Sequence, residues 1–471
     1  MKHIGTDVCV IGAGSGGLSF AAGAAQMGAR VILLEGGKMG GDCLNFGCVP
    51  SKTLLAAGKQ AHAMRTGGTY GVSPVMPEVS YAAVNDRIRA VIDAIAPVDS
   101  QERFEGLGVR VLRKYGTFIS RTEVQAGDTV IRSRRFVIAT GASAFVPPIP
   151  GLGEVPHETN ETIFDLRERP EHLIIIGGGP VGVEMAQAHI RLGAKVTMLE
   201  SMKAMSVEDP EAAAVVLAGL RAEGVEIAEE TRIAKVGGEI GAIAVHARDG
   251  RIFRGTHLLI AAGRKANIDG LNLNAAGVAY DDAITVDAGL RTTNRRIYAI
   301  GDAAGGPRFT HVAGYHAGIV IRSVLFGLPA KQRTDHIPRV IYTDPELAQV
   351  GLTETGSYAQ HGSASKVVRF NFAHNDRAIA EGRTRGFAKI MIHKGRPVGA
   401  TIVGPQAGEL IGIWSLAIAN KLKMRAMANM VVPYPTLGEI NKRVAGAYFS
   451  PKLFDNPMVK RAVGLVQRWV P

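Results

Sequence analysis

Two of the three cysteines in this 471-residue chain lie five positions apart, in the stretch GGDCLNFGCVPSK at residues 40–52. Cys43 and Cys48 precede a helix-forming segment and stand close to Lys52. A helix N-terminus and a nearby ammonium group both stabilise a thiolate. The stretch has no CxxC and no second ligand pair, so we predict no metal site. The pair indicates a redox-active dithiol, with a purely structural disulfide as the alternative.

The chain also contains two copies of one phosphate-binding pattern, at residues 8–35 and 173–200. Each copy runs from an apolar strand through G-x-G-x-x-G into a helix and a second strand, and then ends in a carboxylate. The glycines are Gly12, Gly14 and Gly17 in the first copy and Gly177, Gly179 and Gly182 in the second, and the carboxylates are Glu35 and Glu200.

Each position of this pattern has a physical use. The first glycine makes the turn, the second lets the backbone approach a pyrophosphate, and the third lets the helix pack on the strand. The helix N-terminus attracts the phosphates, and the closing carboxylate accepts hydrogen bonds from ribose hydroxyls. Two copies predict two dinucleotides, most economically a flavin and a nicotinamide. Glu200 suits a free 2′-hydroxyl, so we expect NADH rather than NADPH.

Composition sets the remaining bounds. The length predicts two to four domains, and the hydrophobic content of 46% is typical of a globular protein. The net charge of +12 is scattered along the chain, which argues against a nucleic-acid partner. Residues 8–29 carry no charge but contain six glycines, so we interpret them as strand, turn and helix rather than a membrane span. No signal-peptide pattern is present, and we predict a cytoplasmic protein. Cys9, in the first apolar run, is expected to be inert core.

The stretch GGDCLNFGCVPSK resembles the active-site signature of the FAD-dependent pyridine nucleotide–disulfide oxidoreductases of class I, which include dihydrolipoamide dehydrogenase, glutathione reductase and mercuric reductase. Further segments resemble the cofactor-binding motifs of this family. They are ATGA at 139–142 with Thr140 and Gly141, GRKAN at 263–267 with Gly263 and Arg264, and AIGDA at 299–303 with Gly301, Asp302 and Ala303. Residues 337–354 resemble the start of the dimer-interface domain. Ala266 stands where proline is usual.

The resemblance implies an α/β fold with two Rossmann-like dinucleotide-binding domains, as in glutathione reductase, and a C-terminal α+β dimerisation domain. Residues 1–148 and 268–336 would bind FAD, and residues 149–267 would bind NAD(H). Residues 337–450 would form the interface of a homodimer, and residues 451–471 an amphipathic tail.

The resemblance also implies a mechanism. Electrons would pass from NADH through FAD to the Cys43–Cys48 disulfide, and then to a disulfide or another thiol-reactive acceptor. Cys48 would lie against the flavin and Cys43 would face the substrate. Lys52 and Glu184 would form an ion pair near the flavin and nicotinamide, and Asp302 would bond the ribityl chain.

The chain departs from the family pattern at one catalytic position. Thiol reductases of the family carry His-Pro-Thr-x-x-Glu, whereas this chain reads Tyr434-Pro-Thr-Leu-Gly-Glu439. An ordinary tyrosine has a pKa of about 10 and histidine of about 6.5, so Tyr434 is a poor base at neutral pH. We therefore expect slow exchange with lipoamide or glutathione disulfide. His311 and His316 are other candidate bases, and the sequence leaves their reach to Cys43 open.

Other assignments stay open. Mercuric reductases and soluble transhydrogenases of the family also carry tyrosine at this position. However, residues 451–471 contain no cysteine pair as in the former, and Cys48 is retained, unlike in the latter. A quinone-reducing, diaphorase-type or transhydrogenase-type flavoprotein, or a low-turnover redox-sensing subunit, remains the alternative to a dihydrolipoamide dehydrogenase-like or mercuric reductase-like enzyme.

The tail offers a second open question. Its apolar residues can line one helical face, away from its cations; they are Met458, Val459, Val463, Val466 and Val470. A helix packed on the dimer is the expected arrangement. The alternative is a basic amphipathic segment that docks on a membrane surface or an acidic partner.

Overall fold

A computed structural model describes residues 1–470. The chain forms two compact units. The first contains Met1–Thr66, Pro74–Ser201 and Glu226–Gln332, and the second contains Gly67–Ser73, Met202–Val225 and the chain from Arg333 onward. The finer five-part division given above remains a prediction.

The strands occur in this chain order: β1 (Lys2–Ile11), β2 (Val31–Leu34), β3 (Val109–Leu112), β4 (Thr117–Ser120), β5 (Glu123–Ala126), β6 (Thr129–Ile138), β7 (Ala142–Ala144), β8 (His172–Ile176), β9 (Lys195–Leu199), β10 (Glu226–Ala228), β11 (Ile233–Glu239), β12 (Ala242–Ala247), β13 (Ile252–Gly255), β14 (His257–Ile260), β15 (Arg264–Ala266), β16 (Ile297–Ala299), β17 (Pro338–Ile341), β18 (Glu346–Gly351), β19 (Ser365–Asn371), β20 (Phe387–His393) and β21 (Arg396–Gly404).

The α-helices are α1 (Ser15–Gln26), α2 (Gly41–Asn45), α3 (Cys48–Arg65), α4 (Tyr81–Ile95), α5 (Gln101–Gly106), α6 (Pro180–Arg191), α7 (Pro210–Ala222), α8 (Leu273–Ala276), α9 (Thr310–Phe326), α10 (Glu354–His361), α11 (Asp376–Ala380), α12 (Ala407–Leu410), α13 (Gly412–Ala419), α14 (Met424–Ala428), α15 (Glu439–Ala447), α16 (Ser450–Phe454) and α17 (Pro457–Trp469). Short 3₁₀ turns, among them Gly301–Ala304, connect some of these elements.

The first unit is built on a mixed sheet in the order β3-β2-β1-β6-β5-β4, with β16 also paired to β6. Strand β1 lies parallel to both β2 and β6. Its residues alternate between two buried clusters: Val8 and Val10 pack on one face, and Cys9 and Ile11 on the other. A strand covered on both faces reads as a continuous apolar run, which explains the uncharged stretch. Burial raises the pKa of the Cys9 thiol and keeps it in the inert neutral form.

The second phosphate-binding pattern forms a parallel sheet in the order β10-β9-β8-β14, accompanied by an antiparallel sheet of β11, β12 and β13. Helix α6 follows β8 and begins at Pro180, directly after the glycine turn. Proline at the first helical turn loses no intrahelical hydrogen bond, because that N–H would be unpaired anyway. The two predicted βαβ units are therefore both present.

The second unit contains an antiparallel sheet in the order β17-β18-β21-β20-β19. Helices pack on it around the buried Trp414, whose indole Nε1 donates to Asn441 Oδ1 at 2.7 Å. Helix α7 belongs to this unit, and its N-cap Asp209 contacts Lys389 of β20 at 3.1 Å. The predicted fold class, two Rossmann-like domains with a C-terminal α+β domain, is confirmed.

The tail forms α16 and α17. Residues 8–29 form the end of β1, a turn and α1, as expected from their glycines. Within residues 1–470, no helix has the length and apolar character needed to cross a membrane.

Candidate redox-active site

The two motif cysteines lie in adjacent helices. Cys43 is within α2, and Cys48 is the first residue of α3. Both are free thiols; Cys43 is half-buried and Cys48 is exposed. The preceding glycines set this arrangement. Gly41 has φ +61°, and a Cβ there would lie 2.7 Å from Gly14 Cα, so only glycine lets α2 approach the first phosphate-binding loop this closely.

The two thiols share a proton unequally. A hydrogen bond from Cys43 lowers the pKa of Cys48 to about 6, and a second from Thr310 and the charge of Lys52 act in the same direction against partial burial. The same hydrogen bond raises the pKa of Cys43. This arrangement favours ionisation of Cys48 over ionisation of Cys43.

Thr310 is a site residue that the sequence analysis missed. Its Oγ1 lies 3.4 Å from Cys48 Sγ, although the two residues are separated by 262 positions. Thr310 is the first residue of α9. Only its place after the third FAD-like motif hinted at a role, because a lone threonine has no pattern of its own.

Lys52 and Glu184 form an ion pair across α3 and α6, with Lys52 Nζ 2.8 Å from Glu184 Oε2. The Glu184 side chain is buried. The two helices pack closely at Gly58, where a Cβ would lie 3.2 Å from Ala188 O. A buried carboxylate requires a partner charge, and the pair links the dithiol helix to the second phosphate-binding unit. Its role toward the cofactors remains a prediction.

The outer glycines of both loops are required by the chain itself. Gly12 has φ +104° and Gly177 has φ +119°, a region that favours glycine. A Cβ at Gly17 would lie 1.9 Å from Gly12 O, and one at Gly182 would lie 2.0 Å from Gly177 O. Neither distance can be accommodated, so the first glycine of each loop makes the turn and the third lets the helix pack closely against it.

The middle glycines face open space instead. A Cβ at Gly14 would lie 3.9 Å from Gly41 Cα, an ordinary contact, and one at Gly179 would meet nothing within 4 Å. Gly14 and Gly179 are the N-caps of α1 and α6, and as glycines they offer no side-chain acceptor to the first backbone N–H groups of these helices. A larger residue at either position would not clash with the rest of the chain. A phosphate bound at the helix N-terminus would, however, occupy the space that its Cβ would take. Both loops thus fit the pyrophosphate of a dinucleotide.

The carboxylates that end the two phosphate-binding patterns make equivalent hydrogen bonds. Glu35 follows β2, and its Oε2 accepts a hydrogen bond from Ala13 N at 2.7 Å. Glu200 follows β9, and its Oε2 accepts from Gly178 N at 2.8 Å. Each carboxylate is therefore held beside its own glycine turn, where a ribose is expected.

The other FAD-like motifs meet near Cys43. Thr140 Oγ1 donates to Asn267 O at 2.7 Å, and Asn267 N donates to Gly141 O at 2.9 Å. Strand β15 pairs with β7 directly beside these bonds. Gly263, at φ +120°, precedes β15.

Arg264 connects two carboxylates at this junction. Its Nη2 lies 3.1 Å from Asp42 Oδ2, next to Cys43, and its Nε lies 3.7 Å from Asp302 Oδ2. Asp302 lies in the turn Gly301–Ala304, whose Ala303 is fully buried. Burial raises the pKa of Asp302, and the charges of Arg264 and Arg308 oppose that shift. The buried Nε of Arg264 has no hydrogen-bond partner within residues 1–470, which leaves a donor available beside Asp302.

His316 has a structural task in this turn. Its Nδ1 accepts from Gly301 N at 3.2 Å, and its Nε2 lies 2.9 Å from Gln332 Oε1. Burial lowers its pKa. With both ring nitrogens engaged, His316 is not available as a base for Cys43. His311 stacks on Phe309, with ring centroids 5.3 Å apart.

Tyr434 and Glu439 belong to the second unit. The Tyr434 side chain is 67% exposed, and its hydroxyl donates to Asp376 Oδ2 at 2.9 Å. This hydrogen bond raises the pKa of Tyr434 above its ordinary value, so even less of it is present at neutral pH as the tyrosinate that could accept a proton. Glu439 begins α15 and lies 3.8 Å from Arg443. Asp376 was not identified from the sequence, because it is 58 positions away.

Comparison with known proteins agrees with this geometry. Residues 6–317 match the pyridine nucleotide-disulphide oxidoreductase family, and residues 337–445 match its dimerisation domain. The chain is 35% identical to a mercuric reductase from Acidithiobacillus ferrooxidans over 94% of this chain and 82% of that protein.

Two solved structures are also similar. LpdA from Mycobacterium tuberculosis has a TM-score of 0.86 at 27% identity, covering 94% of this chain and 99% of that one. The flavoprotein disulfide reductase RclA from Escherichia coli, as a Cu(II) complex, has a TM-score of 0.84 at 28% identity, covering 93% and 99%. The expected enzyme class and its use of FAD and NAD(P)H are confirmed. This chain belongs to the class I pyridine nucleotide-disulphide oxidoreductase family.

Proposed function

We propose that this enzyme uses NADH to reduce a disulfide or another thiol-reactive acceptor through the Cys43–Cys48 pair. Bound FAD supplies two-electron exchange between the nicotinamide and the dithiol. The observation that carries the proposal is the setting of Cys48, at the start of α3 and 3.4 Å from Thr310 Oγ1, where the hydrogen bond from Cys43, that from Thr310 and the charge of Lys52 all lower its pKa. A structural disulfide has no need for this setting.

The thiols have distinct roles in reducing an acceptor disulfide. Cys43 passes its proton along their shared hydrogen bond to Cys48 as its sulfur attacks one acceptor sulfur, which forms a mixed disulfide and releases the first thiolate. That thiolate takes the proton from Cys48 and departs as the first thiol. Cys48 thiolate then attacks Cys43 Sγ, which forms the Cys43–Cys48 bond and releases the second thiol. The Cys43 proton and one proton from solvent leave with the two thiols. Thr310 stabilises the waiting thiolate with its hydroxyl.

Tyr434 narrows the choice of acceptor. When the leaving thiolate of an acceptor disulfide is weakly basic, it departs without being protonated. Such disulfides suit an enzyme that lacks the usual histidine. A soft metal ion held by both sulfurs is a second candidate acceptor. The 35% identity with a mercuric reductase favours it, since thiolate–metal exchange needs no proton delivered to a departing thiol.

Cofactor choice and assembly complete the proposal. Glu200 repels the 2′-phosphate of NADPH, so NADH is the preferred donor. Replacing Glu200 with Ser is expected to narrow the difference in flavin reduction rate between NADH and NADPH at equal low concentration. Equal rates in the unaltered enzyme would contradict the assignment. We also infer a homodimer, because residues 337–445 match the family's dimerisation domain.

Anaerobic dithionite titration tests the dithiol. The Cys48→Ser variant is expected to take up two electrons fewer per FAD than the unaltered enzyme, because the two-electron thiol–disulfide couple is lost. Cys9→Ala is the matched control, since Cys9 is fully buried in β1 and outside the couple. Equal uptake by the unaltered enzyme and the Cys48→Ser variant would refute a redox role for the pair.

A further inference from the structure

The tail contains a self-contained helix. Helix α17 begins at Pro457 and is capped by Asn456, whose Oδ1 accepts from Met458 N at 2.9 Å. An N-cap of this kind stabilises a helix start by about 1 kcal/mol, and proline at the first position is pre-organised for it. The local sequence thus favours a helix start at Pro457.

Most apolar residues of α17 are exposed within the described chain, and Val459 is partly buried. Their exposed fractions are large: Met458 75%, Val463 54%, Leu465 58%, Val466 50% and Trp469 81%. At about 100° per residue these positions, with Val459 and Ala462, fall on one half of the helix circumference. The short helix α16 adds the exposed Leu453 and Phe454 just before it. We call this surface the tail stripe.

Charge on the opposite side identifies what the tail stripe would contact. Lys460, Arg461 and Arg468 lie on the other half of α17, and Pro457–Trp469 contains no carboxylate. A contact between two α17 helices would bring together the same three cations with no carboxylate from either helix, so it offers poor electrostatic complementarity. Anionic lipid headgroups attract the cations while the acyl region accepts the apolar half. An aromatic residue such as Trp469 prefers this boundary.

We propose that α16 and α17 dock the enzyme on an anionic membrane surface, lying in the headgroup plane. The helix is too short to span a bilayer, consistent with a helix that lies on the membrane. This interaction is separate from the redox reaction, because no residue of the dithiol or of the phosphate-binding loops takes part. It gives the tail a function that the family resemblance does not explain.

Tryptophan fluorescence offers a direct readout. The chain has two tryptophans, and Trp414 is fully buried and hydrogen-bonded to Asn441. A change on adding lipid therefore reports Trp469. The full-length FAD-loaded enzyme is mixed with vesicles of phosphatidylcholine containing phosphatidylserine, and separately with phosphatidylcholine alone. We expect a blue shift and co-sedimentation with the anionic vesicles only, weakening as salt is raised.

Two variants with the same change of charge separate apolar docking from charge attraction. Val466→Asp places a carboxylate in the tail stripe and is expected to weaken vesicle binding on the order of a hundredfold. Gln467→Asp places it on the opposite side and is expected to weaken binding only about fivefold, the effect of one charge near the surface. NADH oxidation is expected to stay unchanged in both, so this test is independent of the proposed function.

The proposal has clear contrary outcomes. No vesicle binding by the full-length enzyme would overturn it, as would equal losses in the two variants. If deletion of residues 456–471 converted a dimer into monomers and the full-length enzyme ignored vesicles, the tail stripe would be a contact between two copies instead.

Discussion

At the scale of single residues, the chemistry depends on how Cys48 is kept ionised. The cysteine spacing and the adjacent helix could be predicted from the sequence, because helix N-termini and lysines favour thiolates wherever they occur. The contact with Thr310 could not, because it joins the starts of α3 and α9, whose approach depends on the folded first unit. Asp376, beside Tyr434, was missed for the same reason.

Thr310 supplies one prediction. Replacing it with Val removes a hydrogen bond to a charged sulfur, worth about 1.5–3 kcal/mol, and should raise the pKa of Cys48 by about one to two units. The pH dependence of Cys48 alkylation by iodoacetamide, read by mass spectrometry, measures this. Thr310→Ser keeps the hydroxyl and serves as the control. An unchanged pH midpoint in the Val variant would show that the hydroxyl does not act on the thiolate.

A second prediction at this scale concerns Tyr434 and the rate of disulfide turnover. Flavin reduction by NADH needs no base at this position, whereas exchange with an aliphatic disulfide does. Tyr434→His is therefore expected to raise lipoamide turnover, within the roughly 10²–10⁴-fold that general acid–base catalysis provides, with a pH midpoint of about 6.5. Stopped-flow reduction and steady-state turnover are compared in both enzymes. If unaltered enzyme already turned over lipoamide as fast as its flavin is reduced, another base would have to lie beside Cys43.

At the scale of elements, the βαβ units were predictable because their glycines are demanded by local geometry. The pattern did not distinguish the glycines that the chain needs from those that a ligand needs. The structure makes that distinction: a Cβ at Gly182 would lie 2.0 Å from Gly177 O, whereas one at Gly179 would meet nothing within 4 Å.

The two positions should therefore respond differently to the same substitution. Gly182→Ala is expected to lower the urea midpoint of unfolding, because the turn must open to relieve the clash. Gly179→Ala should leave the midpoint nearly unchanged and weaken NADH binding, because the methyl group occupies the space for the phosphate. Urea unfolding and NADH titration of flavin reduction measure these effects. Loss of stability in both variants, with NADH affinity retained in Gly179→Ala, would contradict the assignment.

At the scale of the whole molecule, the two nucleotide-binding folds and the dimerisation domain followed from the sequence. The membership of α7 did not, because it follows β9 directly along the chain yet belongs to the second unit. A long-range buried contact explains this: Asp209 at the start of α7 pairs with Lys389 of β20, and both are at most 4% exposed. Such pairing of distant charges has no local signature.

We expect His189 to make the folded protein less stable at acidic pH. This residue is fully buried in α6 beside Tyr81, and burial lowers its pKa from 6.5 to about 4. The unfolded chain binds the proton first, so stability is unaffected above pH 6.5 and is lost as pH falls toward 4. The loss from this group amounts to about 3 kcal/mol at pH 4.

Comparison with His189→Gln isolates this effect from other titrating groups, because glutamine keeps a polar contact to Tyr81 without titrating. The urea midpoint of the unaltered enzyme should fall more steeply between pH 7 and 4.5 than that of the variant. Parallel profiles would mean that His189 protonates equally well in both states.

The central proposal is that Cys48 lies beside bound FAD as a thiolate. A thiolate in contact with the flavin gives a charge-transfer absorbance band, and this band tests the proposal most directly. The long-wavelength band of the two-electron-reduced enzyme is recorded as a function of pH, in the unaltered enzyme and in Cys48→Ser. We predict a band that appears with a midpoint at a pH of about 6 and is absent from the variant, which keeps its FAD. A band that the variant retains, or a midpoint near the ordinary cysteine value of 9.0, would contradict the account.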